Sequence, residues 1–151
     1  MKPSKNFYAL VNKSIVMPRT TYILQTDGSY EYKTQISRTA AILTNHIGIK
    51  STFVNTYLDH TNSYETEWQS LIDGVEYSQM KVLDFNIKAL AIENDCLPIV
   101  TSIIQQNPPK KQLYLEYYKY FNNLYSVSHY MWFGIRWIPR ELNKADDLFR
   151  I

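Results

Sequence analysis

The chain predicts an α/β domain with one sheet covered by helices on both faces, and three observations carry that expectation. Its 151 residues suit a single core and are too few for a second. Three strand-like segments follow one another through short connections before the first helical pattern begins. Later, Ala89-Leu90-Ala91-Ile92 is a short, wholly apolar run, as expected of a central strand buried on both sides.

Residues 1–20 are polar and basic and close on Pro18, which suits an arm that packs loosely or adds an edge element. From Thr21 to Thr26, Tyr22 and Leu24 alternate with Ile23 and Gln25 in a first strand, ended by Asp27-Gly28. Thr39 to Asn45 and Ser51 to Leu58 supply the next two strands, with a turn at Gly48. His60-Thr61-Asn62-Ser63 signals a helix start, and Tyr64, Trp68, Leu71, Ile72, Val75 and Tyr77 then recur at helical spacing.

After the apolar strand, Pro98 suits the first turn of a helix that stops before Asn107-Pro108-Pro109. Lys110 to Tyr125 reads as a tyrosine-rich helix, Tyr130 to Pro139 as the last strand, and Glu141 to Ile151 as a short terminal helix. His129, just before that strand, is expected to be structural. The organisation is an arm over 1–20 and one domain over 21–151.

Composition narrows the function classes. With 45% hydrophobic and 20% charged residues and four glycines, the chain is globular rather than disordered. A formal charge of +2 permits nucleic-acid binding without diagnosing it. The single Cys96 excludes an intramolecular disulfide and a multi-cysteine zinc site, and fits a reducing cytoplasm. No run has the length of a membrane span, and Lys2, Lys5, Asn6, Asn12 and Lys13 interrupt any apolar leader.

Four acids stand apart from this background. Asp27 follows the first apolar run within Thr26-Asp27-Gly28-Ser29, Glu67 lies one turn into the amphipathic helix beside Trp68, and Asp95 ends the apolar strand. Asp146 and Asp147 compete for the fourth place. Helical periodicity puts Leu142, Ala145 and Phe149 on one stripe with Asp146 beside it and Asp147 rotated away by about 100°, which favours Asp146. Each acid taken singly reads as a turn, cap or solvated helix residue, as Glu65 and Glu76 do. Four together from distant segments repel one another unless a multivalent cation neutralises them, a pattern that points to Mg²⁺ and phosphate chemistry.

That order, with Trp137-Ile138-Pro139-Arg140-Glu141-Leu142-Asn143 ahead of Ala145-Asp146, resembles ribonuclease H type 1, in its small bacterial, archaeal and reverse-transcriptase-like versions. The likeness runs from about Tyr22 to Arg150. It implies a five-stranded mixed sheet of order 3-2-1-4-5 with helices on both faces. It also implies a hydrolase that cuts the RNA strand of RNA/DNA hybrids with two Mg²⁺ ions, or Mn²⁺ in their place, leaving 5′-phosphate and 3′-hydroxyl ends. Asp27, Glu67, Asp95 and Asp146 would carry catalysis and hold the ions.

The same resemblance places substrate contacts at Gly28, Ser29, Thr61, Asn62, Ser63 and Arg140, while helix capping explains the 61–63 stretch equally well. The chain departs from many relatives in lacking a His before the terminal segment, where Pro139-Arg140-Glu141 stands, and in carrying Leu97 at a position often held by Gln. Two alternatives stay open: the same nuclease fold acting on double-stranded RNA or branched DNA, and a non-catalytic nucleic-acid-binding or dimerising module.

Overall fold

Two parallel strands whose shared ladder ends just before a pair of acids organise the molecule. The structure is a computed structural model that describes residues 9–10, 17–81, 85–127 and 130–150; His129, Ile151 and most of the arm lie outside the described residues. The strands are β1 (Ala9–Leu10), β2 (Tyr22–Tyr30), β3 (Ser37–Thr44), β4 (Lys50–Tyr57), β5 (Ala89–Asn94) and β6 (Trp132–Trp137). The helices are α1 (Ser63–Met80), α2 (Leu97–Gln105) and α3 (Gln112–Val127). They form one sheet of order β1-β6-β5-β2-β3-β4, in which β2, β3 and β4 are antiparallel and β2, β5 and β6 are parallel. Counted from β2, the five main strands have the order 3-2-1-4-5. The arm contributes the sixth, pairing Ala9 and Leu10 with Ile135 and Gly134 at the β6 edge.

Side-chain alternation along β2 assigns its two faces. Leu24, Thr26 and Gly28 face α1, whose Gly74 lies directly against Leu24 and Thr26. On this face Leu24, Leu43, Trp68, Leu71, Leu90 and Phe133 are almost fully buried in the main core, against which Tyr114, Tyr117, Tyr118 and Tyr125 of α3 pack. Full burial of each such side chain contributes about 1.5–3 kcal/mol. On the other face, Ala40 and Ile42 of β3 pack against Ala145, with Leu148 and Phe149 beside them.

Asn62 caps α1, its side chain accepting from Glu65 N at 2.8 Å, and Glu65 Oε1 returns to Thr61 N at 2.7 Å and Thr61 Oγ1 at 3.0 Å. This reciprocal box satisfies donors at the start of the helix. Tyr114 and Tyr117 of α3 bond Asn62 and Glu65, so the cap also docks α3 onto α1. Glu65 is therefore buried, 6% exposed, and not a solvated helix residue as its sequence position suggests. Among the described residues no helix is long and apolar enough to cross a membrane.

Two expected boundaries differ. β2 does not end at Asp27-Gly28 but runs on to Tyr30, because β3 keeps pairing with it as far as Ser37. The reversal falls instead at 31–36, closed by Glu31 N to Ile36 O (2.9 Å) and Gln35 N to Glu31 O (2.8 Å), with Gln35 in the left-handed region at φ 58°. The expected terminal helix is replaced by two 3-10 segments, Arg140–Leu142 and Lys144–Arg150. Asn143 separates them with an extended backbone, its side chain donating to Thr26 O at 2.9 Å and accepting from Ala145 N at 3.2 Å. Leu142 is consequently 55% exposed and off the apolar stripe, while Ala145 is fully buried.

The contact between α1 and β2 leaves no room at Gly74, where an added Cβ would meet Thr26 Cγ2 at 2.4 Å. Gly74→Ala should cost about 1–3 kcal/mol through overpacking, although alanine is the better helix former. Urea unfolding measures it, and a stabilised variant would contradict the packing described.

Candidate active site

The parallel ladder between β2 and β5 ends at the pair Thr26 and Asn94, so the next residues of the two strands, Asp27 and Asp95, emerge side by side. Asn94 Oδ1 accepts from Cys96 N at 2.8 Å and turns the chain sharply from β5 into α2. Its amide group donates to Thr26 Oγ1 at 2.9 Å, tying the two strand ends together. Glu67 arrives from α1. An added Cβ on Gly28 would lie 2.8 Å from Glu67 Oε1 and from the backbone of Thr66, so glycine permits the close approach. Gly28 N in turn donates to Glu67 Oε1 at 2.5 Å and to Asp27 Oδ1 at 3.0 Å.

Oxygen atoms of Asp27, Glu67 and Asp95 all lie within 4.8 Å of one another. Burial pushes the Asp27 carboxyl up to about 7, with repulsion from Asp95 adding to it. Glu67 is pushed well above the usual carboxylate range by burial and then by Asp27 and Asp95. Asp95 is also raised by burial, against the pull of its hydrogen bond with Asn143 and the Arg140 charge. Three oxygen donors that resist ionisation together, in a shared pocket, fit a hard divalent cation better than they fit solvent.

The acids open into a cleft of about 600 Å³. Gly28, Ser29, Ser63, Arg140 and Asp146 line it with them, and Tyr30, Tyr64, Leu97 and Pro98 form its apolar part. Thr61 and Asn62 do not line it; they cap α1 just behind Ser63. Asp146 sits at the rim with its side chain 18% exposed, whereas that of Asp147 is 65% exposed and turned to solvent. Cys96 also borders the cleft, its thiol pushed up to about 12 by burial and by Glu67, and is held neutral.

A family whose sequence profile is described as reverse transcriptase-like matches residues 25–149. The chain belongs to this family, of ribonuclease H type. Its fold is similar to that of the amino-terminal ribonuclease H domain of a Mycobacterium tuberculosis protein, with a TM-score of 0.71 at 17% identity over 85% of this chain and 90% of that one. Ribonuclease H1 from the archaeon Halobacterium salinarum gives 0.72 at 14% identity, covering 85% and 92%. LC11 ribonuclease H1, solved with an RNA/DNA hybrid, gives 0.73 at 19% identity, covering 84% and 92%. At these identities the likeness is one of fold. No curated protein matches the chain in sequence.

This reverse transcriptase-like domain also has polar residues that sequence reasoning passed over. Gln25 Nε2 donates to Glu93 Oε1 (2.8 Å) and Leu142 O (3.2 Å), and Gln25 Oε1 accepts from Lys144 N at 3.0 Å. Glu93 is paired in turn with Arg136, whose Nε lies 3.0 Å away. With Asn143 on Thr26, these groups clamp the segment that carries Asp146 against the sheet. The signal for Asn143 was an Asn two residues ahead of a buried small residue, an Asx-turn pattern. Nothing local marks Gln25, Glu93 and Arg136, which meet only through strand register.

The raised carboxyls make a signed prediction. Between about pH 4 and 7 the folded protein keeps a proton on Asp27 that the unfolded chain has lost, and Glu67 is raised in the same direction, so these groups' contribution to cation-free stability is fullest at low pH and is lost as pH rises through the folded values. Thermal unfolding in EDTA should show the drop between pH 5 and pH 8 shrinking in Asp27→Asn. An unchanged drop in that variant would contradict the assignment.

Proposed function

We propose that this domain is a metal-dependent endonuclease that hydrolyses the RNA strand of RNA/DNA hybrids. The observation that carries this reading is the trio of carboxylates, one buried and two half-buried, with oxygens within 4.8 Å of one another in an open cleft. Such a trio is electrostatically costly, and a cation bound among the oxygens relieves that cost. The family, and the likeness to a ribonuclease H1 solved with an RNA/DNA hybrid, support the substrate class.

Asp27, Glu67 and Asp95 are the proposed cation ligands, with Asp146 as the fourth, and Mg²⁺ or Mn²⁺ suits their all-oxygen character. When bound, two such ions supply an activated water and neutralise the charge that develops on the scissile phosphate. The chain's own part is to hold the carboxylates rigidly. Gly28 N fixes the Glu67 carboxylate, the Asn94 turn fixes Asp95, and the Gln25 and Asn143 clamps fix the segment leading to Asp146. Ser29 and Ser63, flanking the acids, offer short polar groups for reading 2′-hydroxyls, with Thr61 and Asn62 fixing the backbone behind Ser63. Arg140 at the rim is placed to meet a phosphate. Residues 21–151 act as one catalytic domain and residues 1–20 as an arm, of which Ala9 and Leu10 pair with the β6 edge.

Cleavage of an end-labelled RNA/DNA hybrid with Mg²⁺ and with Mn²⁺, beside double-stranded and single-stranded RNA, tests the proposal. Hybrid cleavage should dominate and fall at least about a hundred-fold in Asp27→Asn, a loss of ~2.7 kcal/mol of transition-state stabilisation. Stoichiometric hybrid binding without turnover by the folded wild type would instead make the domain a binding module.

A further inference from the structure

The fourth acid differs from the other three in what it touches. Arg150 Nη2 lies 2.7 Å from Asp146 Oδ2, and Arg150 Nη1 lies 3.0 Å from Asp147 Oδ1, so one guanidinium forks across both carboxylates. Arg140 Nη2 approaches the other oxygen, Oδ1, of Asp146 at 3.9 Å. Both oxygens of Asp146 thus face a guanidinium, whereas Asp27, Glu67 and Asp95 crowd one another. The Arg150 side chain is 64% exposed, on a 3-10 turn that sets it four residues beyond Asp146 and three beyond Asp147. Solvent lies open beside it, and Asp147 gives it an anchor that does not depend on Asp146.

We propose that Arg150 competes with the divalent cation for Asp146, and that Asp147 serves to hold Arg150 at that post. The inference rests on the two-cation reading of the cleft and adds to it an order of loading. Among the described residues no guanidinium is bonded to the three inner carboxylates, although the Arg140 charge reaches Asp95, whereas a cation must displace the Arg150 guanidinium to reach Asp146. The corner at Asp146 therefore loads more weakly than the inner site. This also gives the consecutive acids separate tasks, with Asp146 as ligand and Asp147 as the anchor for its competitor.

The test is Mn²⁺ binding to the full chain, followed by calorimetry and by the paramagnetic resonance signal of free Mn²⁺. Arg150→Gln should tighten the weaker binding step about two- to five-fold, as expected for release from an exposed ion pair. Arg150→Lys should fall between the two, because an ammonium cannot fork across both carboxylates. Lys144→Gln removes the same charge two residues from Asp146 and should leave the step close to its wild-type value. Equal tightening in Lys144→Gln and Arg150→Gln would overturn the proposal in favour of general charge screening, and so would an unchanged Arg150→Gln. Failure of the wild type and all variants to bind Mn²⁺ would instead sink the two-cation reading on which it stands.

Discussion

Asp27, Glu67 and Asp95 are held close enough that none ionises easily, and much of the architecture serves to keep them there. Left to themselves, three carboxylates within 4.8 Å would spread into solvent or pick up protons. They stay because each is mounted on a different rigid element: a central strand, the first turns of a long helix, and the end of a second central strand. The parallel pairing of β2 with β5 fixes the first and third side by side. The second is brought in by a helix that touches the sheet without a Cβ between them at Gly28 and at Gly74. A cation entering such a site repays strain that folding has already met, which is how preorganisation turns stability into function.

The opposite face of the sheet completes the site by a separate device. Residues 140–150 do not form a regular helix, since Asn143 spends its side chain on Thr26 and Ala145 and interrupts the segment. Ala145 then locks into Ala40 and Ile42, and Asp146 follows at the cleft rim. The acids are thus supplied from both faces of the sheet: Glu67 comes from α1 on the main-core side, while Asp27, paired in register with Ala40, shares the other face with the short terminal segment that carries Asp146. Asp146 differs from the other three acids in being bonded by the guanidinium of Arg150.

Element types were legible because apolar periodicity needs no tertiary knowledge: the spacing from Tyr64 to Tyr77 and the apolar run 89–92 announce α1 and β5 directly. The acids were legible because carboxylates at strand ends and on a helix border have few structural uses in combination. What stayed hidden depended on partners distant in sequence. Asp27-Gly28 looks like a turn locally, and only the register with β3 shows the strand passing through it. Glu65 looks solvated until Tyr117 of α3 covers it. Gln25, Glu93 and Arg136 become a clamp only once three strands are aligned, and no local pattern encodes that alignment.

The central claim is that the crowded carboxylates form a cation site, and an anomalous diffraction map from Mn²⁺-soaked crystals tests it most directly. A strong peak is expected among the side-chain oxygens of Asp27, Glu67 and Asp95, with a weaker one toward Asp146. A map with no peak among the three inner acids, at Mn²⁺ concentrations that bind in solution, would contradict it.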